Sequence, residues 1–187
     1  MLAYALVITL SMPIAQDTTR IRDLCLCMQG PDERDREYCE MLMIEMGSSV
    51  VPYLLRLIDE PDSDIREGAL LALRLFDDRK QEIVPAILMH LKRRISENDL
   101  SCSMVTLNWL CDSRDTFLFP VASSLFQQYA NKDSSSYILL ESIKMIAKFD
   151  TESRVFLPKL HDIIQNRRLW DEIRSQAQKA VWKLESR

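Results

Sequence analysis

The stretch VVPYLLRLI at residues 50–58 decides the fold, because its pattern recurs three more times along the chain. Two apolar residues precede a proline, and further apolar residues follow it after two, five and six positions. The other copies are IVPAILMHL at 83–91, LFPVASSLF at 118–126 and FLPKLHDII at 156–164. The prolines at 52, 85, 120 and 158 therefore lie 33, 35 and 38 residues apart. Intervals of this size, with two helices in each, are typical of helical solenoids.

Each of these prolines is predicted to open a helix. Proline has a fixed φ and no backbone N–H, so it suits the first turn of a helix and is poorly tolerated deeper inside. The positions two, five and six residues later share one helical stripe and should face the core. His90 is the one polar residue at these positions, and we expect it to be buried.

Between the prolines lie four further helical patterns, which start near Asp64, near Asp99, at residues 134–136 and near Asp171. Asp or Ser at each start can cap the exposed N–H groups, and the acidic loop at 59–64 is accordingly predicted to be a capping turn and not a calcium site. Two extra helices, at 21–29 and 34–46, are predicted before Pro52, the first proline of the repeated pattern. With only 3 glycines in 187 residues, the chain is predicted to be all-α.

The second helices carry a more specific pattern. Ile65-Arg66, Ala69 and Ala72-Leu73, with a partial copy at Ile173-Arg174, Ala177 and Ala180-Val181, resemble HEAT repeats of the short type also seen in phycobilin-lyase-like proteins. The resemblance covers about residues 34–187, although the two middle units lack the Ile-Arg pair. It implies a right-handed α-solenoid of antiparallel helix pairs, in which the proline-started helices line a concave face.

That resemblance implies a non-catalytic module that binds another protein on its concave face. Positions one, four and eight after each proline should be the most exposed there. The residues predicted to contact the partner are Tyr53, Arg56, Met89, Arg93, Gln128, Lys159 and Asp162. This strip has mixed charge and no row of aromatic residues. The three tryptophans lie on or beside the other helices and are predicted to pack between layers: Trp109, Trp170 and Trp182.

The formal net charge of -4 argues against general nucleic-acid binding, which usually needs a basic excess. Local basic runs at 92–94 and 167–168 leave open a patch for an anionic partner, although cations are also favoured at helix C-termini. No motif points to a cofactor, a metal or a catalytic group, so enzymatic activity is not expected. The alternative is an enzyme-like HEAT relative, either a chromophore lyase or a DNA glycosylase.

The first ten residues, MLAYALVITL, are uncharged and are followed by a polar stretch after Ala15. Residues 1–15 are predicted to be a signal peptide, with residues 16–187 as a single repeat domain; the alternative is a buried first helix. The run is too short to span a bilayer. A signal would make the protein periplasmic or extracellular, and otherwise it would be cytoplasmic.

Five cysteines complete the sequence-based expectations. Counting outward from the turn at 30–32 places Cys25 across from Cys39, so this is the disulfide expected in an oxidising compartment. Cys102 and Cys111 are nine residues apart on one predicted helix, which places them on opposite sides. We therefore expect no bond between them.

Overall fold

The computed structural model describes residues 13–93, 95–132 and 136–186, and within these ranges its regular structure is entirely helical. The fold class predicted from the sequence, all-α, is confirmed. The α-helices are α1 (Pro13–Cys27), α2 (Glu33–Glu45), α3 (Val51–Leu57), α4 (Ser63–Leu73), α5 (Lys80–Leu91), α6 (Glu97–Leu110), α7 (Phe119–Ala130), α8 (Tyr137–Ile146), α9 (Asp150–Ser153), α10 (Leu157–Gln165) and α11 (Asp171–Glu185). Short 3-10 turns precede α3, α5, α7 and α10.

The chain divides into two compact units, with the boundary between Thr106 and Leu107 inside α6. In unit 1, α1 packs against α2 and α4, and α3 packs against α4 and α5. In unit 2, α8 packs against α7 and α11, and α10 packs against α11. In three cases a helix that contains a motif proline therefore packs against the α-helix that follows it, whereas the pattern predicted pairs in which the proline helix comes second.

Three of the four motif prolines open a helix as predicted. Pro52, Pro120 and Pro158 occupy the second position of α3, α7 and α10. Pro85 is different, because it lies inside α5, which already begins at Lys80. That prediction was wrong, since a 3-10 turn at Asp77–Arg79 sets helical geometry before the proline is reached. An interior proline removes one hydrogen-bond donor but keeps a φ that a helix accepts.

Most of the predicted inward stripe of the proline-containing helices is buried, although Leu91, Leu125 and Ile164 are half-buried. Leu54, Ile87, Ala122 and Leu160, each two positions after a proline, have no exposed surface. His90 is 5% exposed, which confirms the prediction that it lies in the core.

Side-chain caps are present at α4 and α8, but α11 has none, although Asp171 was expected to provide one. Asp62 accepts hydrogen bonds from the backbone N–H groups of Asp64 (3.0 Å) and Ile65 (3.3 Å), and so caps α4. Ser136 accepts from the backbone N–H of Leu139 (3.1 Å) and caps α8 in the same way. The interpretation of the acidic loop at 59–64 as a capping turn is confirmed.

Polar contacts between distant residues recur at a nearly constant sequence separation within each unit. Most of the partners are 33 to 38 residues apart, close to the spacing of the prolines, while Arg79–Ser48 (31) and Lys148–Asn108 (40) lie just outside this range. In unit 1 they are Arg22–Glu60 (38), Arg74–Glu40 (34), Arg66–Asp99 (33) and Thr106–Leu70 (36). In unit 2 they are Asn108–Glu141 (33), Lys148–Cys111 (37) and Lys183–Ala147 (36).

The disulfide joins Cys27 to Cys39, and not Cys25 to Cys39 as predicted. Residues two apart on a helix point to different faces, so only one of the two cysteines can meet α2. Cys25 lies on the face of α1 that packs against α4, where it is fully buried. Burial raises the pKa of the Cys25 thiol to about 12, which keeps it protonated and unreactive. No disulfide joins Cys102 to Cys111, as predicted.

The tryptophans also contradict the prediction. Trp109, Trp170 and Trp182 are 70%, 45% and 72% exposed, so they do not fill the space between helix layers. On α11 the inward positions beside Trp182 belong to Val181 and Leu184, which are almost completely buried. Smaller side chains occupy the packing face, and the large indole rings remain outside.

Residues 1–12 of the predicted signal segment lie outside the described part of the chain, and α1 begins at Pro13. Among the helices described, none has the length and apolar character needed to cross a membrane.

Candidate functional site

A cleft of about 350 Å³ lies in unit 1, where the loop after α3 meets the loop after α5. Two apolar and seven polar side chains line it. They are Ile58, Asp59, Glu60, Arg66, His90, Arg93, Ile95, Ser96 and Asp99, and we call this group the loop cleft. Each loop is five residues long because a helix ends at Leu57 or Leu91 and the next helix begins at Ser63 or Glu97. The repeated helix–loop–helix pattern thus brings two charged loops side by side.

One wall of the loop cleft is a closed ion pair. Arg66 on α4 donates from Nε and Nη2 to the two carboxylate oxygens of Asp99, both at 3.2 Å. Its Nη1 donates to the carbonyl oxygens of Glu60 (2.8 Å) and Pro61 (2.9 Å). Asp99 also takes part in a reciprocal cap with Ser96 at the start of α6. These groups hold the two loops together and have few hydrogen-bonding positions left.

The environment of Asp99 stabilises its charge. Burial acts to raise the pKa of this carboxyl, but hydrogen bonds from Arg66 and Ser96, with the Arg66 charge, outweigh it and hold the pKa below its ordinary value of 3.8. Nearby Glu67 behaves in the opposite way, because burial is the largest influence there and raises its pKa above 4.5 despite a hydrogen bond from Asn98. Ionisation of Asp99 on α6 therefore favours the folded state, whereas ionisation of Glu67 on α4 disfavours it.

The opposite wall of the loop cleft holds side chains that form fewer hydrogen bonds with one another. Arg93 donates a hydrogen bond to Asp59, and their side chains are 58% and 48% exposed. The Nδ1 atom of His90 lies 3.7 Å from Oδ1 of Asp59, which is too long for a hydrogen bond. Both imidazole nitrogens of His90 are buried without a hydrogen-bond partner among the described residues. A buried polar group in this state lowers stability until an acceptor or donor reaches it.

The third carboxylate of the loop cleft has its own cation. Glu60 accepts a hydrogen bond from Arg22 on α1 at 2.6 Å, in a half-buried ion pair. Of the three carboxylates that border the cleft, Glu60 is thus held by Arg22 from outside it, and Asp99 is held by Arg66 and Ser96 of the cleft wall. Asp59 has the exposed Arg93 as its hydrogen-bond donor, and the buried His90 lies 3.7 Å away without a hydrogen bond to it.

The structure brings some of the predicted contact residues together. Tyr53 is half-buried and carries the Arg56 guanidinium over its ring, 5.0 Å from the ring centre. Met89 is 61% exposed, and Arg93, one helical turn further on, lies in the loop cleft. In unit 2, Gln128 and Asp162 are exposed and Lys159 is half-buried. That these seven residues bind a partner stays a prediction.

Sequence reasoning missed the grouping of Asp59 with His90. His90 was recognised only as a core position, and Asp59 only as part of a capping loop. The available signal was their separation of 31 residues, close to the repeat interval that pairs other residues in this unit.

Metal chemistry has no support in the described part of the chain, where no three His, Cys, Asp or Glu side chains are grouped to hold an ion. Compared with profiles of known protein families and with curated protein sequences, the chain matches none of them.

Proposed function

We propose that this protein is a non-catalytic interaction module that binds a protein partner on the face formed by its proline-containing helices. We further propose that its helix pairs form a right-handed solenoid of HEAT-like repeats. The polar contacts between residues 33 to 38 positions apart support a repeated packing arrangement, because stacked repeats place equivalent residues next to each other.

The observation that carries the binding function is the exposed stripe of α5. Met89 is 61% exposed beside the exposed cation of Arg93, whereas Ile87 and His90 on the other side of the helix are buried. Exposed methionine next to arginine is typical of protein interfaces, where both residue types are enriched.

The test is site-specific photo-crosslinking with the full chain in its native cells. A photoreactive amino acid replaces Met89, and the control places it at Val155, which is 71% exposed on unit 2 and outside the predicted contact set. We expect a discrete covalent adduct from position 89 that disappears when Arg93→Glu is added. Equal adducts from both positions, or none from position 89, would exclude this face as the binding surface.

An exported location belongs to the same proposal. The Cys27–Cys39 disulfide supports it, because such bonds persist in oxidising compartments. Intact mass of the protein purified from its native source tests it. Loss of the predicted segment together with an oxidised Cys27–Cys39 pair is the expected result, and a reduced pair in an intact chain would contradict it.

A further inference from the structure

We propose that the loop cleft of unit 1 binds the carboxylate of an acidic side chain on the partner protein. Arg93 and His90 supply the hydrogen bonds, and Asp59 is the internal carboxylate that the incoming group displaces. This inference rests on the proposed partner-binding function, because it names the chemistry that the partner must present at that surface.

The N–H groups that line the loop cleft indicate that its ligand carries a negative charge. The Nε, Nη1 and Nη2 groups of Arg66 already donate hydrogen bonds to Asp99 and to two backbone carbonyls. Arg93 has Asp59 as its one recorded acceptor among the described residues, although a guanidinium carries five N–H groups. The unused capacity of the cleft is therefore mainly donor capacity, which suits an oxyanion.

His90 is a second, independent observation in favour of a ligand in the loop cleft. It is 5% exposed, borders the cleft, and has no hydrogen-bond partner for either nitrogen among the described residues. A carboxylate seated between Arg93 and His90 would accept from an imidazole N–H and so give one of the two nitrogens a partner. Asp59 is already close to this position but stays 3.7 Å from Nδ1.

Asp59 can leave at low cost. Its pair with Arg93 is on the surface, with both side chains about half exposed, and such pairs contribute little net stability. An incoming carboxylate that forms two parallel hydrogen bonds with the guanidinium replaces the contact that Asp59 gives up.

The other charges favour a singly charged carboxylate over a phosphate. Glu60 and Asp99 also border the cleft, so a dianion would meet three negative side chains while Asp59 remained nearby. The volume of about 350 Å³ accepts a side chain, and Ile58 and Ile95 can contact its methylene groups. Glutamate, with two methylenes and a carboxylate, matches this lining.

The test uses the full chain and the imidazole NMR signals of its two histidines. The probe is an acetylated and amidated peptide of alternating Glu and Gly, and the matched peptide has Gln in place of Glu. We expect the Glu peptide to shift the His90 signal while His161, 55% exposed beside Glu185, stays unchanged. Inorganic phosphate, and an uncapped Gly peptide with a free C-terminal carboxylate, are the competing sources of an anion and should bind more weakly.

Charge variants separate this model from non-specific attraction. Asp59→Asn removes the internal competitor and should tighten binding of the Glu peptide about fivefold, whereas Arg93→Gln should weaken it about tenfold. The control is an exposed Arg–Asp pair of unit 2, in which Asp112→Asn and Arg114→Gln should leave the affinity unchanged.

Three results would overturn the assignment: an unshifted His90 signal, an equal response to the Gln peptide, or weaker binding by Asp59→Asn. Failure here is distinguishable from failure of the proposed function. A partner crosslinked through position 89 without a response to the Glu peptide keeps the function and rejects the carboxylate site. A clear response to the Glu peptide without any adduct at position 89 keeps the site and rejects the protein partner.

Discussion

Gly68 lies where α1 and α4 approach each other most closely in unit 1. A Cβ atom at this position would lie 2.0 Å from the backbone oxygen of Cys25, so a larger residue forces the two helices apart. Glycine in a helix interior is otherwise unfavourable, which indicates that packing and not helix propensity selects it here. We expect Gly68→Ala to lower the free energy of unfolding by about 3 kcal/mol, measured by urea denaturation.

Gly47 provides the matched control for this prediction. It has a positive φ of 73°, but a Cβ there would meet nothing within 4 Å. Gly47→Ala should therefore cost only the backbone strain, about 1 kcal/mol. If the two alanine variants lose the same stability, the close approach of Cys25 to Gly68 is not the cause.

Glu67 and Asp99 should respond in opposite directions to loss of charge. Burial raises the pKa of Glu67, so the stability it contributes is fully present below pH 4.5 and is lost as the pH rises through its raised folded value. The pKa of Asp99 is lowered, so its contribution is present above pH 3.8 and is lost as the pH falls through its lowered folded value.

At neutral pH we expect Glu67→Gln to raise the free energy of unfolding by about 1 kcal/mol, because an amide avoids the cost of the buried charge. Asp99→Asn should lower it by about 3 kcal/mol, because it leaves the half-buried Arg66 guanidinium without its anionic partner. Denaturation curves from pH 7 down to about pH 3 check both. Two effects of the same sign at pH 7 would contradict this account of the two carboxyls.

At the scale of the helix, Pro85 marks the limit of the proline pattern. Its stretch has the same two apolar residues before the proline as the other three, yet the helix begins five residues earlier. We expect Pro85→Ala to raise the free energy of unfolding by about 1 kcal/mol or more, because an exposed interior proline becomes a good helix former.

Pro52 is the comparison, since it lies at the second position of α3, where its missing N–H has no helical partner in any case. Pro52→Ala should be nearly neutral. Thermal unfolding followed by circular dichroism gives both values. Equal effects of the two substitutions would mean that position within the helix does not govern the cost of proline in this chain.

At the scale of the whole molecule, α6 belongs to both compact units. Met104, before the boundary, and Leu107, after it, are both fully buried. Unfolding one half of a continuous helix destabilises the other half, because helix formation is cooperative. We therefore expect the two units to unfold together.

Tryptophan fluorescence and NMR can test this coupling, because Trp109, Trp170 and Trp182 all belong to unit 2 and His90 belongs to unit 1. Met104→Ala, a cavity-forming change in unit 1, should lower stability by about 3 kcal/mol. The midpoints in urea seen by tryptophan fluorescence and by the His90 signal should then fall by the same amount. A tryptophan midpoint that stays at the wild-type value would show that unit 2 unfolds independently.

The sequence by itself determined the features that depend on neighbours within about two turns. Helical class, the caps at Asp62 and Ser136, three of the four proline starts and the burial of His90 all follow from local periodicity and backbone chemistry. These properties require no knowledge of which helix packs against which.

Only the tertiary structure decided which residues meet across larger separations. The choice of Cys27 over Cys25 depends on which face of α1 packs against Gly68, and the exposed tryptophans depend on which side of each helix found a neighbour. The loop cleft depends on two loops that lie side by side although Asp59 and Arg93 are 34 residues apart. The repeat interval predicts that such residues meet, but the distances and the unpartnered nitrogens of His90 arise only when the helices pack.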